Sequence, residues 1–299
     1  MSSNGAAVQP GRFQAQSVRA LLVVVAVLSA LLWSYWPTFT GLWADWQEDA
    51  NYSVGQLVPV AALYVLWHQR ARLRGIAICP NWWGALVVLV AQAARAFGLL
   101  LVYGSAERYS LVLTIAGLVL WLGGADLFRR LFWILAFLAL MIPLPGQIHN
   151  AISGPLQTFA TAGAVFLLEL FGVPAARDGH VIVLRTSTPI AVAEACSGLR
   201  MLTAFVVVGS AMAFLVDRPT WHKVVLVAST VPVAIVCNLI RLVITAMLFL
   251  WFDSATAEKF FHDFAGWTMM PMAVGMLLAE LWILKLIEGS AVAAWDEGT

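Results

Sequence analysis

The sequence predicts an all-α polytopic membrane protein of about eight transmembrane helices, completed by an amphipathic or re-entrant helix in the outer leaflet and a small external hairpin. Three observations predict it. Hydrophobic residues make up 62% of the 299 and charged residues only 11%, with a mean hydropathy of +0.87, so lipid is the solvent for most of the chain. Apolar runs long enough to cross a bilayer recur along the sequence, separated by short polar segments. Arg and Lys concentrate in every second one of those segments, as the positive-inside bias requires. A net charge of +1 with no dense basic cluster excludes a nucleic-acid partner. The three cysteines, Cys79, Cys196 and Cys237, are odd in number and lack metal-ligand spacing, so neither a structural disulfide nor a cofactor is expected.

In chain order, residues 1–19 read as a disordered cytoplasmic tail, 20–287 as the membrane domain and 288–299 as a cytoplasmic tail. Residues 20–36 form the first span, ending in the interfacial girdle of Trp33, Tyr35 and Trp36. Residues 37–53 carry Asp45, Glu48 and Asp49 with no Lys or Arg, which places them outside as a loop. The second span is 54–67, followed on the cytoplasmic side by Arg70, Arg72 and Arg74. The third, 82–103, holds Gln92 and Arg95 within its apolar run. The fourth, 109–125, leads to Asp126, Arg129 and Arg130 on the inside, and the fifth, 131–144, stops at Pro143 and Pro145.

Arg218 and Lys223 mark the next cytoplasmic segment, so the span at 199–216 runs inward and Cys196 lies at its outer end. Residues 146–195 must then begin and end outside. Within them Asn150, Ser153, Gln157 and Thr161 recur at helical spacing, which gives 150–172 a polar stripe and the character of an amphipathic helix in the outer leaflet, with a true span as the alternative. Residues 180–184 and 188–192 form the hairpin, with Pro189 assigning the second strand to an edge. The last spans are 224–248 and 264–284, joined by an external segment and closed by Lys285.

Arginine at membrane depth costs on the order of 2.5 kcal/mol unless it is paired or hydrated, which draws attention to Arg95, Arg200 and Arg241. Arg241 falls about one turn below the outer surface, and Asn238, one turn earlier on the same face, can hold its guanidinium by the amide oxygen. Cys196 stands where a polar run opens into a membrane helix, with Arg200 on the same face. A helix N-terminus and a nearby cation both lower a thiol pKa and make it a nucleophile. The plainer reading is a small apolar residue near a helix end. His262 is at a membrane edge, where most histidines merely reach for water, yet topology puts it level with Cys196 and Arg241. A thiol, an imidazole and a guanidinium together supply the nucleophile, proton shuttle and countercharge of acyl transfer through a thioester. Ser197 and Gly198 shape the helix entry. His68, His149, His180 and His222 read as isolated polar-edge residues, Glu280 as a partner for Arg95 or Arg200, and the tryptophans as interfacial anchors. A non-catalytic transporter, or a lipid- or anion-binding protein lined by the three arginines, is the alternative, weakened by the lack of an internal repeat.

The motifs AEACSGLR at 193–200, NLIR at 238–241 and FHDFAGW at 261–267, in that order, resemble the exosortase/archaeosortase family of polytopic membrane transpeptidases. NYSVGQLVP at 51–59, IPLP at 142–145 and PLQTFAT at 155–161 support the resemblance. It implies a cysteine protease and transpeptidase with Cys196, Arg241 and His262 as its catalytic set. Glu194, Ser197, Gly198, Arg200, Asn238 and Asp263 are the supporting or substrate-binding neighbours. It further implies cleavage of a C-terminal sorting signal of exported proteins, of Pro-Glu-Pro type, and transfer of the product to an amine, lipid or glycan acceptor. The place implied is the outer face of a bacterial cytoplasmic membrane. Family members often carry His after Tyr-Ser in the first motif. Val54 stands there in this chain, so no catalytic role falls to that loop.

Overall fold

The computed structural model describes residues 22, 24–49, 51–184, 189–191, 198–251, 271–272 and 274–286, and these are mostly helical. Both expected tails, residues 1–19 and 288–299, lie outside them. The chain divides into two units, Met1–Ala44 and Asp45–Thr299. In the first, α1 (Val24–Ser34) ends in a 60° bend at which α2 (Trp36–Glu48) begins. Pro37 is the cause: it has no N–H to give the preceding turn, and its fixed φ suits the first turn of a new helix. The expected external loop over 37–53 is therefore helical as far as Glu48.

In the second unit a 3₁₀ turn (Ser53–Gln56) leads into α3 (Leu57–His68), and α4 (Arg70–Leu73) is a single turn. The helices α5 (Trp83–Leu100) and α6 (Gly104–Leu118, continued as a wider turn to Gly123) make an antiparallel hairpin. Asn81 caps α5, its Oδ1 accepting the Trp83 N–H at 3.0 Å. Inside the pair Gln92 Nε2 donates to Thr114 Oγ1 at 3.1 Å, which satisfies two polar groups away from water. Next comes α7 (Ala125–Leu138), tightened to a 3₁₀ turn through Met141. Its start is six residues earlier than expected, because Asp126 in the first turn complements the helix dipole and lets Arg129 and Arg130 ride on the helix. Ile142 is extended, as a residue before proline must be.

The longest surprise is α8 (Gly146–Leu170). Its length and hydropathy are enough to cross a membrane. Of the expected polar stripe, Ser153 and Thr161 turn inward, Gln157 is half-buried and Asn150 is exposed, while Phe159, Phe166 and Ile148 are exposed as well. Exposed apolar residues of this kind suit contact with lipid. Leu156 and Ala160 lie level with Ala234 and Asn238, Gly163 rests on Leu239, and Ala164 and Leu168 join Leu242 and Ala246 in one apolar cluster. Residue numbers rise together, so α8 runs in the same direction as α10 (Thr220–Trp251).

Three antiparallel strands follow α8: β1 (Ala175–Asp178), β2 (Val181–Leu184) and β3 (Pro189–Ala191), in that order across the sheet. The hairpin is the expected one, and β1 is an addition. Ala175, Ile182 and Leu184 bury one face against α8 and α10. The chain resumes as α9 (Leu199–Leu215), antiparallel to α10, and ends among the described residues with α11 (274–286). Glu280 of α11 meets Ser229 Oγ at 2.5 Å, so its contact is a serine of α10 rather than the expected arginine. His222 is buried and stacked on Trp221 instead of standing at a polar edge.

Among the described residues four helices are long and apolar enough to cross a membrane, or five if the bent α1–α2 pair is one span. The expected eight are not reached. At about 1.5 Å per residue, α3, α7 and α9 are too short to cover a hydrocarbon core of about 30 Å alone. Residues 264–270 of the last expected span lie outside the description. The side-to-side sorting does agree with the charge pattern. Arg72, bonded to Asp217 at 2.8 Å and accepting Arg130 at its carbonyl, shares one end with Gln69 and Phe214. Asp45 with Arg108, Trp46 with Met141, Tyr52 with His149 and Asn51 with Thr203 share the other.

The α5–α6 hairpin depends on contact without side chains. A Cβ on Gly84 would come within 2.2 Å of the Trp121 backbone nitrogen. Gly84→Leu is expected to cost about 1–3 kcal/mol through overpacking, seen as a lower unfolding midpoint in detergent, whereas Gly41→Leu, where nothing lies within 4 Å, leaves the midpoint in place.

Candidate functional site

The entry to α9 is set by Gly198, whose φ of +81° and ψ of −14° are left-handed, a conformation that costs any residue with a Cβ about 1–2 kcal/mol. This bend brings the backbone against α10. A Cβ on Gly198 would stand 3.1 Å from Asn238 Nδ2. The first helical bond, Leu202 N–H to the Gly198 carbonyl at 2.8 Å, starts α9 at that point, and Leu199 is buried beneath it.

Asn238 is buried, and its Oδ1 accepts Arg241 Nη2 at 2.9 Å. The two residues are three apart on α10, which places them on one face. Arg241 is only 8% exposed, and its carbonyl accepts Thr245 Oγ1 at 2.7 Å. The carboxamide therefore spends its acceptor on the guanidinium and turns its donor toward the Gly198 turn. A buried cation, an amide donor and the N-terminus of α9 all act in the same sense at this turn. They stabilise negative charge, which is what a thiolate or an oxyanion needs.

Beside the turn is a narrow cleft lined by Leu156, Phe159 and Ala160 of α8, Gly198 and Leu202 of α9, and Ala234, Ile235 and Asn238 of α10. Among its described lining residues Asn238 is the one with a polar side chain. Directly beyond Arg241, Leu242, Val243 and Ala246 share one apolar cluster with Ile182 and Leu184 of the sheet.

A second arm supports α9 from the other side. Thr203 Oγ1 donates to the Asn51 carbonyl at 2.9 Å, and the next residue, Tyr52, is 2.7 Å from His149 Nδ1 at the start of α8. The Tyr52 hydroxyl also takes the Leu144 backbone N–H. Burial, with the Asp49 carboxylate adding to it, pushes the Tyr52 phenol up to about 12. Val54, where the motif of related chains has histidine, is buried in the same turn.

Of the residues nominated from sequence, the structure joins Asn238 to Arg241 and sets Gly198 against Asn238. Arg200 lies half-buried in the first turn of α9, with its carbonyl 3.0 Å from Thr203 Oγ1. Glu194, Cys196, Ser197, His262 and Asp263 lie outside the described residues. The Tyr52–His149 pair was missed because 97 residues separate its members and neither stands in a periodic pattern. A tyrosine beside an acidic loop gives no address for its partner.

Gly198→Ala is expected to strain the turn by about 1–2 kcal/mol and to push the Asn238 carboxamide off Arg241. Lower turnover with little change in the amount of folded protein checks this, and Asn238→Ala in the same background should relieve the crowding but not restore turnover. Tyr52 makes a separate prediction. A phenol raised above its unfolded pKa of 10.0 to about 12 keeps its full stabilising contribution below pH 10 and loses it as pH climbs toward 12. Chemical-denaturation curves at stepped pH should show a fall over that window, shallower in Tyr52→Phe.

The family model for transmembrane exosortases (Exosortase_EpsH) matches residues 46–279. No curated protein and no solved structure matches the chain. The matched stretch starts just before the Asn51–Tyr52 arm, contains the Gly198 turn and the Asn238–Arg241 pair, and ends within α11. With most of its length accounted for in this way, the chain belongs to the transmembrane exosortase family.

Proposed function

We propose that the chain is a membrane cysteine transpeptidase that cleaves a C-terminal sorting signal from exported proteins and passes the product to an acceptor. The observation that carries this reading is the buried Arg241, bonded to Asn238, whose carboxamide lies against the backbone turn at Gly198, two residues after Cys196 in the sequence. A guanidinium costs too much at membrane depth to be kept there without a use for its charge.

In the proposed reaction the Cys196 thiolate attacks the substrate carbonyl, and the negative charge that forms on oxygen is met by Arg241 and by N–H groups at the start of α9. The C–N bond breaks as His262 gives its proton to the leaving amine, which leaves a thioester on Cys196. The acceptor nucleophile then attacks the thioester, His262 takes its proton, and the thiolate is released. Because α9 opens at the Tyr52 end, where Arg108 stands beside acidic Asp45, Glu48 and Asp49, and not at the end that gathers Arg70, Arg72, Arg129, Arg130 and Arg218, the reading puts this chemistry at the outer face of a bacterial cytoplasmic membrane. Proteins bearing the sorting signal and an amine, lipid or glycan acceptor are the partners.

Cys196→Ala is expected to reduce processing of a sorting-signal substrate by at least about a thousandfold without loss of folded protein, and Arg241→Gln by about a hundredfold to a thousandfold, the effect of removing an oxyanion donor. Arg241→Lys, which keeps charge but not the planar fork, should recover part of that loss. Hydroxylamine added during turnover should trap the acyl group as a hydroxamate. Normal processing by Cys196→Ala would overturn the reading.

A further inference from the structure

Three residues of the segment that leads into α3 bond to other elements. Trp46 Nε1 donates to the Met141 carbonyl at 2.9 Å, and the Asn51 carbonyl accepts Thr203 Oγ1 at 2.9 Å. The Tyr52 hydroxyl accepts the Leu144 N–H and stands 2.7 Å from His149 Nδ1. Leu144 lies between Pro143 and Pro145, so this N–H is the one backbone donor of the three residues before α8. Tyr52 therefore holds both the run into α8 and its first turn.

Both members of the Tyr52–His149 contact are themselves anchored. The Tyr52 N–H bonds to the Asp49 carbonyl at 3.0 Å, and its carbonyl accepts the Gly55 N–H at 2.8 Å. The His149 N–H bonds to the Pro145 carbonyl at 2.9 Å, and the two rings are tilted together with centroids 5.9 Å apart. Both side chains are half-buried. A bond between two anchored groups fixes the distance between the elements that carry them. Its net strength is enough to favour one placement over another by about two- to tenfold. Holding α8 in the fold falls instead to its apolar cluster with α10.

That placement is transmitted to the candidate site. Seven to eleven residues after His149, Leu156, Phe159 and Ala160 form one wall of the cleft whose other walls are Gly198 and Leu202 of α9 and Asn238 of α10. Thr203, the neighbour of Leu202, is bonded to Asn51, the neighbour of Tyr52. The α8 and α9 walls are thus both referenced to two consecutive residues of one segment. We propose that Tyr52 and His149 are positioning residues, whose contact sets where α8 stands against the Gly198 turn and Asn238 and thereby the rate of acyl transfer. This inference rests on the transpeptidase reading and adds to it what aligns the site. No bond of the reaction is made or broken at either ring.

The test uses the full chain in detergent and a peptide substrate that the wild-type enzyme processes, with kcat expressed per folded molecule. Tyr52→Phe and His149→Ala should each lower kcat about three- to tenfold, the bias that the lost bond supplied, with KM within about twofold. The double variant should be no slower than the slower single variant, because both act through one contact. His149→Asn, whose amide can donate or accept toward the phenol, should recover at least about half of the loss. Tyr52→Phe removes a single oxygen and decides the matter if His149→Ala misfolds. Unchanged kcat per folded molecule in Tyr52→Phe, whatever happens to its unfolding midpoint, overturns the inference and leaves the transpeptidase reading standing. So does a raised KM with kcat retained, which would assign the pair to substrate binding, or a double variant in which the two single losses multiply. If Cys196→Ala processes the peptide as well as the wild type, both readings fall.

Discussion

The hydrogen bond between Asn238 and Arg241 is the constraint on which the rest of this end of the molecule depends. A guanidinium at membrane depth costs roughly 2.5–3.5 kcal/mol or more, and on α10 the Asn238 carboxamide takes one of its donors. The choice matters electrostatically. An aspartate at position 238 would neutralise the arginine, whereas an amide satisfies one of its donors and leaves the positive charge in place. Gly198 sets the start of α9 against that carboxamide.

Surrounding this pair, polarity is arranged for lipid. On α8 the hydroxyls of Ser153 and Thr161 turn inward, where Thr161 returns its hydrogen bond to the Gln157 carbonyl at 2.7 Å, and the exposed face carries Phe159 and Phe166. The same periodicity on a helix in water would point the other way, which is why spacing alone gave the stripe and not its direction. Small residues then allow close approach: Ala160, Gly163 and Ala164 set α8 against Leu239 and Leu242. Since α10 is 32 residues long, about 48 Å at 1.5 Å per residue, it extends well past a hydrocarbon core of about 30 Å. The sheet packs on the part near its C-terminal end.

Elements governed by local pattern were legible in the sequence. The long apolar runs of α5, α6, α9 and α10 appear within a few residues of their expected bounds, the 180–192 hairpin pairs as its β-rich segments suggest, and the three-residue spacing of Asn238 and Arg241 yields the expected bond. The misses share a cause. The polar residues of α2 hid a helix begun by Pro37, β1 has Arg177 and Asp178 in place of an apolar alternation, and α7 starts among charges that belong to its own first turn. In each, tertiary packing or helix-end electrostatics outweighed the hydrophobic signal. For the candidate site, the α10 half and the Gly198 turn can be compared with expectation, while Cys196 and His262 lie outside the described residues.

The Tyr52–His149 pair changes how the first motif is understood. Sequence suggested a loop that had lost its imidazole, since Val54 occupies the position where related chains often have histidine. The fold brings an imidazole to the neighbouring residue from α8 instead. The same loop holds α9 through Asn51 and Thr203, whose hydroxyl also approaches the Arg200 carbonyl. A displacement of α8 would therefore reach the entry of α9 by two routes, through the cleft that α8 shares with Gly198 and through this loop. The position of α8 is thereby coupled to the Gly198 turn and to the first turn of α9.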